Sequence, residues 1–319
     1  MITNLILLLA GLALVVFGAD SLVDGASAIA RKARISEFVI GMTIVGFGTS
    51  CPELVVSLTG ALEGSPAVAA GNVIGSNIFN TLLILGLAAL ISPVAITTSN
   101  KRLDIPVALL VTFLFVTLGF KSTFLGIGEA DNISVVEGIV FLILFAIYLI
   151  YCFKQGKDDP VENEGKPLKL PAAILLTLAG LAALVFGGQM FVDNSVIVAH
   201  ALGVSEKFIA ITLLAGGTSL PELATCVVAI AKHKDALALG NILGSNVFNI
   251  LLILGTATVA GGGMNLSEIT VVDMCALLAS AALLWMSAYT GRKDRIDRWE
   301  GAIFLLAFAA YYVWLFIKL

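Results

Sequence analysis

Gly48-Thr49-Ser50-Cys51-Pro52-Glu53-Leu54 returns 169 residues later as Gly217-Thr218-Ser219-Leu220-Pro221-Glu222-Leu223. The register holds without a gap on either side. From Ser36 to Gly86 against Ser205 to Gly255, 24 of 51 positions are identical. A second stretch doubles in step: Gly71-Asn72-Val73-Ile74-Gly75-Ser76-Asn77-Ile78-Phe79-Asn80 with Gly240-Asn241-Ile242-Leu243-Gly244-Ser245-Asn246-Val247-Phe248-Asn249. Weaker matches reach back toward Leu5, pairing Phe17-Gly18 with Phe186-Gly187 and Val23-Asp24 with Val192-Asp193. The chain is one unit written twice, and identity concentrates in its polar residues.

The solvent of that unit is lipid. Of 319 residues, 59% are hydrophobic and 13% charged, against about 45–50% and 25% in soluble domains. No charged residue occurs between Ser65 and Asn100, or between Asp235 and Glu268. A membrane helix needs roughly 20 apolar residues. Apolar stretches near 4–24, 37–62, 66–92, 104–120, 133–153, 170–192, 206–231, 236–260, 270–290 and 300–317 give about ten spans. The sequence therefore predicts an all-α membrane protein of ten transmembrane helices, arranged as two inverted five-helix repeats. The first repeat takes 1–153 with its motif region at 41–86. A polar linker follows over 154–170, marked by Gly156, Pro160, Gly165 and Pro167. The second repeat takes 171–319 with its motif region at 210–255. An odd number of spans per unit makes the two copies enter the membrane from opposite sides, a construction common among secondary transporters.

Lysine and arginine collect on the cytoplasmic side. Fifteen of the 18 fall in alternate connections. These are Arg31, Lys32 and Arg34; Lys101 and Arg102; Lys154, Lys157, Lys166 and Lys169; Lys232 and Lys234; and Arg292, Lys293, Arg295 and Arg298. Only Lys121, Lys207 and Lys318 fall on the other side. Both termini are expected to be extracytoplasmic. The first charged residue is Asp20, so no basic region announces a cleaved signal and the first span is expected to be retained. Cys51, Cys152, Cys226 and Cys275 are scattered and read as small apolar fillers.

The motifs place oxygen ligands at membrane depth. Pro52 and Pro221 lack an N–H and clash with the carbonyl four residues earlier, freeing carbonyls around Thr49 and Thr218 from the helical ladder. Free carbonyls at that depth are tolerated only where they line a cavity or are buried in protein. Here each lies one turn from a carboxylate, Glu53 or Glu222. A charge at mid-bilayer costs about 2.5–3.5 kcal/mol on insertion scales, so such residues usually serve ions or protons. A neutral glutamate held by a structural hydrogen bond is the alternative, and two symmetric copies favour a shared ion over it. Asn72, Ser76 and Asn80 fall along one helix face, repeated by Asn241, Ser245 and Asn249. Asn72 and Asn241 fit either polar packing or the site, whereas Asn80 and Asn249 are read as lining it. Gly71 with Gly75, and Gly240 with Gly244, permit close helix approach.

Ligand type points to calcium. Two bidentate glutamates and two carbonyls bring about six oxygens, and Ca²⁺ takes 6–8 flexibly while Mg²⁺ keeps its waters. No histidine or cysteine pattern suits zinc or copper.

At these residues the chain resembles the Ca²⁺/cation antiporter superfamily, specifically the prokaryotic Na⁺/Ca²⁺ exchangers. The resemblance runs over essentially the whole chain and rests on the paired motifs Gly-Thr-Ser-x-Pro-Glu and Gly-Asn-x-x-Gly-Ser-Asn. It implies ten helices with the second, third, seventh and eighth as core, and the first and sixth as a moving gate. It implies Ca²⁺ on Glu53 and Glu222 with the carbonyls of Thr49 and Thr218. Flanking Na⁺ sites would use Ser50, Ser76, Ser219, Ser245 and the carbonyls near Gly46 and Ala215. Asn80 matches the usual central asparagine. The position of Asn249 is often aspartate in archaeal members, so asparagine here removes a titratable carboxylate, as in animal plasma-membrane exchangers. The activity implied is exchange of Na⁺ for Ca²⁺ by alternating access in the cell (inner) membrane. Ca²⁺, Na⁺ and the bilayer would be the partners, with no cofactor, no nucleic acid and no obligate protein partner.

A Ca²⁺/H⁺ antiporter is the nearest alternative, distinguished by its coupling ion. The inverted repeat argues against a channel. An intramembrane enzyme lacks a histidine or lysine to activate a nucleophile near Glu53. Asp24 and Asp193 read as interfacial, Ser36-Glu37 and Ser205-Glu206 as helix starts, and His200 and His233 as loop residues near span ends.

Overall fold

A computed structural model of the chain describes residues 2–128, 130–155, 168–203 and 215–318. The helices are α1 (Ile2–Ala33), α2 (Glu37–Thr49), α3 (Cys51–Leu62), α4 (Pro66–Ile91), α5 (Asn100–Gly119), α6 (Val135–Lys154), α7 (Leu170–Ala201), α8 (Leu220–Ala231), α9 (Asp235–Ala260), α10 (Val271–Ser287) and α11 (Arg298–Lys318). Among the described residues, α1, α4, α5, α6, α7, α9 and α11 are each long and apolar enough to cross a membrane. The pair α2–α3, bent by 47° at its break, makes an eighth, and α8 and α10 are shorter apolar helices. Most of the linker expected over 154–170 lies outside the described residues, as do Lys207 and the helix start at Ser205-Glu206. Its first-half counterpart behaves as expected: Ser36 Oγ accepts from Val39 N–H at 3.3 Å and Glu37 sits in the first turn.

The centre of the molecule is α9, almost wholly buried, with α4 largely so beside it; α1, α6, α7 and α11 turn most of their surface outward. This follows from sequence. The charge-free stretches carry glycine, serine and asparagine on their faces, which lipid does not solvate and a neighbouring helix does. Gly240 and Gly244 let α9 touch the backbone of α2. A Cβ on either would stand 2.2 Å from the carbonyl oxygen of Phe38 or of Met42. The repeat mates Gly71 and Gly75 meet nothing within 4 Å among the described residues. Lys207 and Ile211, the repeat mates of Phe38 and Met42, lie outside those residues, so half of the expected small-residue packing is seen.

Helices α1 and α7 run along one another and form a paired unit across the front of this core. Small residues permit it at three levels, Gly11 against Gly187, Gly18 against Gly180 and Gly25 against Ala173 and Thr177.

Two clips close the ends. Val94–Ala95, after α4, pairs antiparallel with Arg295–Ile296, before α11. Asn132–Ile133, before α6, pairs antiparallel with Met264–Asn265, after α9. The two clips use equivalent connections with the halves exchanged.

The sequence reading missed one local feature. Residues Phe79–Ile84 in α4 and Asn249–Leu254 in α9 are π-helical. Such turns widen the helix by one residue and are frequent at functional sites. These two begin at or beside Asn80 and Asn249.

Candidate cation site

The prolines act differently from the expected kink. Pro52 and Pro221 each occupy the first turn of a new helix, where the missing N–H costs nothing. The break falls before them, at Ser50 (φ −84°, ψ 8°) and Ser219 (φ −89°, ψ 11°). The preceding helix therefore ends at Thr49, and in the second half the short Ala215–Gly217 turn ends just before Thr218. Terminal carbonyls of a helix have no partner within it, so the expected freeing of backbone oxygens at Thr49 and Thr218 has a structural basis. Glu53 and Glu222 then sit in the first turn of α3 and α8, where the positive end of the helix dipole favours an anion.

Both carboxylates are almost wholly buried, at 1% and 0% exposure. Each is bonded by the serine that precedes the other's proline. Ser50 Oγ donates to Glu222 Oε1 at 2.9 Å, and Ser219 Oγ donates to Glu53 Oε1 at 3.0 Å. Ser76 Oγ adds a longer contact to Glu53 Oε1, 3.4 Å. The second oxygens, Glu53 Oε2 and Glu222 Oε2, are buried without a partner. Unpaired buried carboxylate oxygens are costly and demand an explanation.

The asparagines form a second crossed set. Asn80 Nδ2 donates to Asn246 Oδ1 at 3.2 Å, and Asn249 Nδ2 donates to Asn77 Oδ1 at 2.9 Å. Asn77 Nδ2 also donates to the Asn246 carbonyl, and Asn246 Nδ2 to Thr81 Oγ1. With their amide nitrogens so held, Asn80 Oδ1 and Asn249 Oδ1 are left buried and unpartnered. Four side-chain oxygens on two pairs of repeat mates thus lack partners, two of them anionic.

Asn72 and Asn241, left open between packing and lining, do packing work. Thr49 Oγ1 donates to Asn241 Oδ1 at 3.1 Å, and Thr218 Oγ1 reaches Asn72 Oδ1 at 3.5 Å. Asn72 Nδ2 also donates to the Glu53 carbonyl. Ser245 Oγ donates to the Gly46 carbonyl at 3.4 Å, which places that carbonyl beside the second motif. Ala215 opens the Ala215–Gly217 turn at the corresponding position.

Sequence reasoning passed over Asn77 and Asn246. Both lie in the quoted motif, but one residue off the Asn72-Ser76-Asn80 face, so helical periodicity points them away from the glutamates. They face each other's repeat instead and orient Asn80 and Asn249.

Comparison with known proteins gives the family. The model of the sodium/calcium exchanger protein family matches residues 3–154 and 172–317. The chain belongs to that family. An Alkalimonas amylolytica protein that carries the antiporter name CaxA is 39% identical over 99% of each chain. The sodium/calcium exchanger MaX1 of Methanosarcina acetivorans is 32% identical over 98% of each. A solved structure of the sodium-calcium exchanger NCX_Mj superposes with a TM-score of 0.83 at 34% identity, over 100% of this chain and 99% of the other. This exchanger-family chain is accordingly a cation antiporter and not an enzyme.

A cavity of about 460 Å³ lies between α7 and the core, lined by Gln189 and Asp193 on one side and by Cys51, Pro52, Asn72 and Thr218 on the other. Among the described residues no group of three or more His, Cys, Asp or Glu could hold a metal. The donor set at the motifs is two carboxylates supplemented by amide, hydroxyl and backbone oxygens, the chemistry of a hard cation.

Proposed function

We propose that this chain exchanges Na⁺ for Ca²⁺ across the cell (inner) membrane by alternating access, binding both ions in turn at one site between the two motifs. Glu53 and Glu222 are the anionic ligands, with the carbonyls of Thr49 and Thr218 and the side-chain oxygens of Asn80 and Asn249. Ser50, Ser76, Ser219 and Ser245, with the carbonyls at Gly46 and Ala215, serve the flanking Na⁺ positions. The observation that carries the proposal is the set of unpartnered buried oxygens, Glu53 Oε2, Glu222 Oε2, Asn80 Oδ1 and Asn249 Oδ1. Two negative charges balance one Ca²⁺ or two Na⁺, so the ions compete for one charge-neutral arrangement. Competition at a buried site is what couples their fluxes.

Ten spans in two inverted five-helix repeats, 1–153 and 171–319, accommodate the long helices, the bent pair and the two short apolar helices together. The repeated break at Ser50 and Ser219 and the exchanged strand clips support that arrangement. The lysine and arginine distribution supports extracytoplasmic termini.

Calorimetric titration of the purified protein with Ca²⁺ tests the site. Binding should weaken progressively as Na⁺ replaces choline and vanish in Glu53→Gln. Ca²⁺ binding that ignores Na⁺ would remove the basis of the exchange reading.

A further inference from the structure

Three repeat-related positions carry different charges and hold different contacts in the two halves. On one face Lys232, just past the end of α8, reaches α1. Its Nζ lies 2.6 Å from Asp20 Oδ1 and 2.7 Å from Asp24 Oδ1, and it also donates to the Asp20 carbonyl. Along this face α1 packs directly on α8. The register that relates the halves turns Asp20 into Gln189, Asp24 into Asp193 and Lys232 into Glu63. So the opposite face carries an amide and two acids where this one carries two acids and a cation. There Gln189 Nε2 donates to Asp193 Oδ1 at 2.9 Å, and among the described residues no cation is paired with Asp193. That is also the face where the cavity lies open between α7 and the core.

We propose that the Lys232–Asp20–Asp24 ion pair is a latch that holds the α1–α7 unit against the core on the cytoplasmic face, and that it must break for the site to open inward. The proposal rests on the alternating-access reading and the sidedness given above. The latch ties elements that must separate, since α1 belongs to the paired unit and Lys232 to the core. Lys232 is about one-third exposed and the two aspartates about half, so the pair is strong enough to bias an equilibrium and weak enough to break in each cycle. Burial works against the Lys232 charge, but its hydrogen bonds to Asp20 and Asp24 outweigh it and keep the ammonium above the ordinary lysine range. Among the described residues the opposite face shows no equivalent, and closing it in the mirrored way brings Asp193 toward Glu63, two like charges. The same excess of cytoplasmic cations that orients the chain in the membrane thereby makes its two gates unequal.

The test reads the inward-open population directly. Leu220 is the repeat mate of Cys51, which lines the open cavity, so Leu220→Cys reports opening on the other face with a residue the fold already accepts at the matching position. It is introduced with Cys275→Ser, Cys275 being exposed, and labelled in ion-free inside-out vesicles by an impermeant methanethiosulfonate. Lys232→Ala should raise the labelling rate about 3- to 10-fold, the range set by two partly exposed ion pairs. The double change Asp20→Asn with Asp24→Asn should raise it equally, with no further gain when combined with Lys232→Ala. Lys232→Arg should leave it unchanged. Na⁺-driven ⁴⁵Ca²⁺ uptake by the unlabelled wild type, in the same vesicles, tests the exchanger reading separately. Uptake present with labelling unmoved in both latch variants would overturn the latch; uptake absent would overturn the reading beneath it.

Discussion

Ser50 Oγ lies 2.9 Å from Glu222 Oε1 across 172 residues of chain, and Ser219 returns the same bond to Glu53. Each half of the protein thus holds the other half's carboxylate. Neither motif makes a complete site alone, which gives the duplication a chemical reason. The serine occupies one oxygen of each glutamate, and the other oxygen is buried without a partner.

If Glu53 and Glu222 are the charged ligands, replacing either by glutamine should abolish Ca²⁺ uptake. Glutamine keeps the shape and can still accept from the serine, so the melting temperature should stay within a few degrees of wild type. Uptake by either variant within tenfold of wild type would contradict the assignment.

The serines should matter less and equally. A hydrogen bond to a charged group contributes about 1.5–3 kcal/mol, so Ser50→Ala and Ser219→Ala should each weaken apparent Ca²⁺ affinity by roughly 10- to 100-fold. The symmetry is the check. A large loss in one variant and none in the other would mean the two carboxylates are not held equivalently.

Asn249→Asp adds a third acid to a buried site. A carboxyl there can take up a proton in competition with the cations around it. The variant's uptake should therefore fall more steeply than wild type's as pH drops from about 8 to 6. Superimposable pH profiles would count against the placement of Asn249 at the ions.

Packing makes a prediction independent of ions. A methyl on Gly244 would stand 2.2 Å from the Met42 carbonyl, against backbone that cannot move aside alone. Overpacking of this kind typically costs about 1–3 kcal/mol. Gly244→Ala should lower thermal stability, measured by tryptophan fluorescence in detergent, whereas Gly64→Ala should act through its positive φ of 76° and not through contacts.

Much of this was legible from Pro52-Glu53 and Pro221-Glu222, because a proline and an acid together inside an apolar span have few other uses. The duplication told where to look, and the structure brings glutamates, serines and central asparagines of the two motifs together. Three things were not legible. A proline inside an apolar span signals a break but not its place, so the new helix starting at Cys51 or Leu220 had to be seen. Asn77 and Asn246 serve a contact between α4 and α9, and a contact between distant segments leaves no periodicity in either. Asp24 reads as an interfacial acid because its partner, Lys232, lies more than 200 residues away and has the opposite charge from its own repeat mate, Glu63.

The central claim is that Na⁺ and Ca²⁺ exchange through one site, and ⁴⁵Ca²⁺ uptake into proteoliposomes tests it most directly. Vesicles preloaded with Na⁺ should accumulate Ca²⁺, while those loaded with K⁺ or choline, or given only a pH gradient, should not. Uptake driven by the pH gradient with Na⁺ absent would contradict the account and make the protein a Ca²⁺/H⁺ antiporter on the same scaffold.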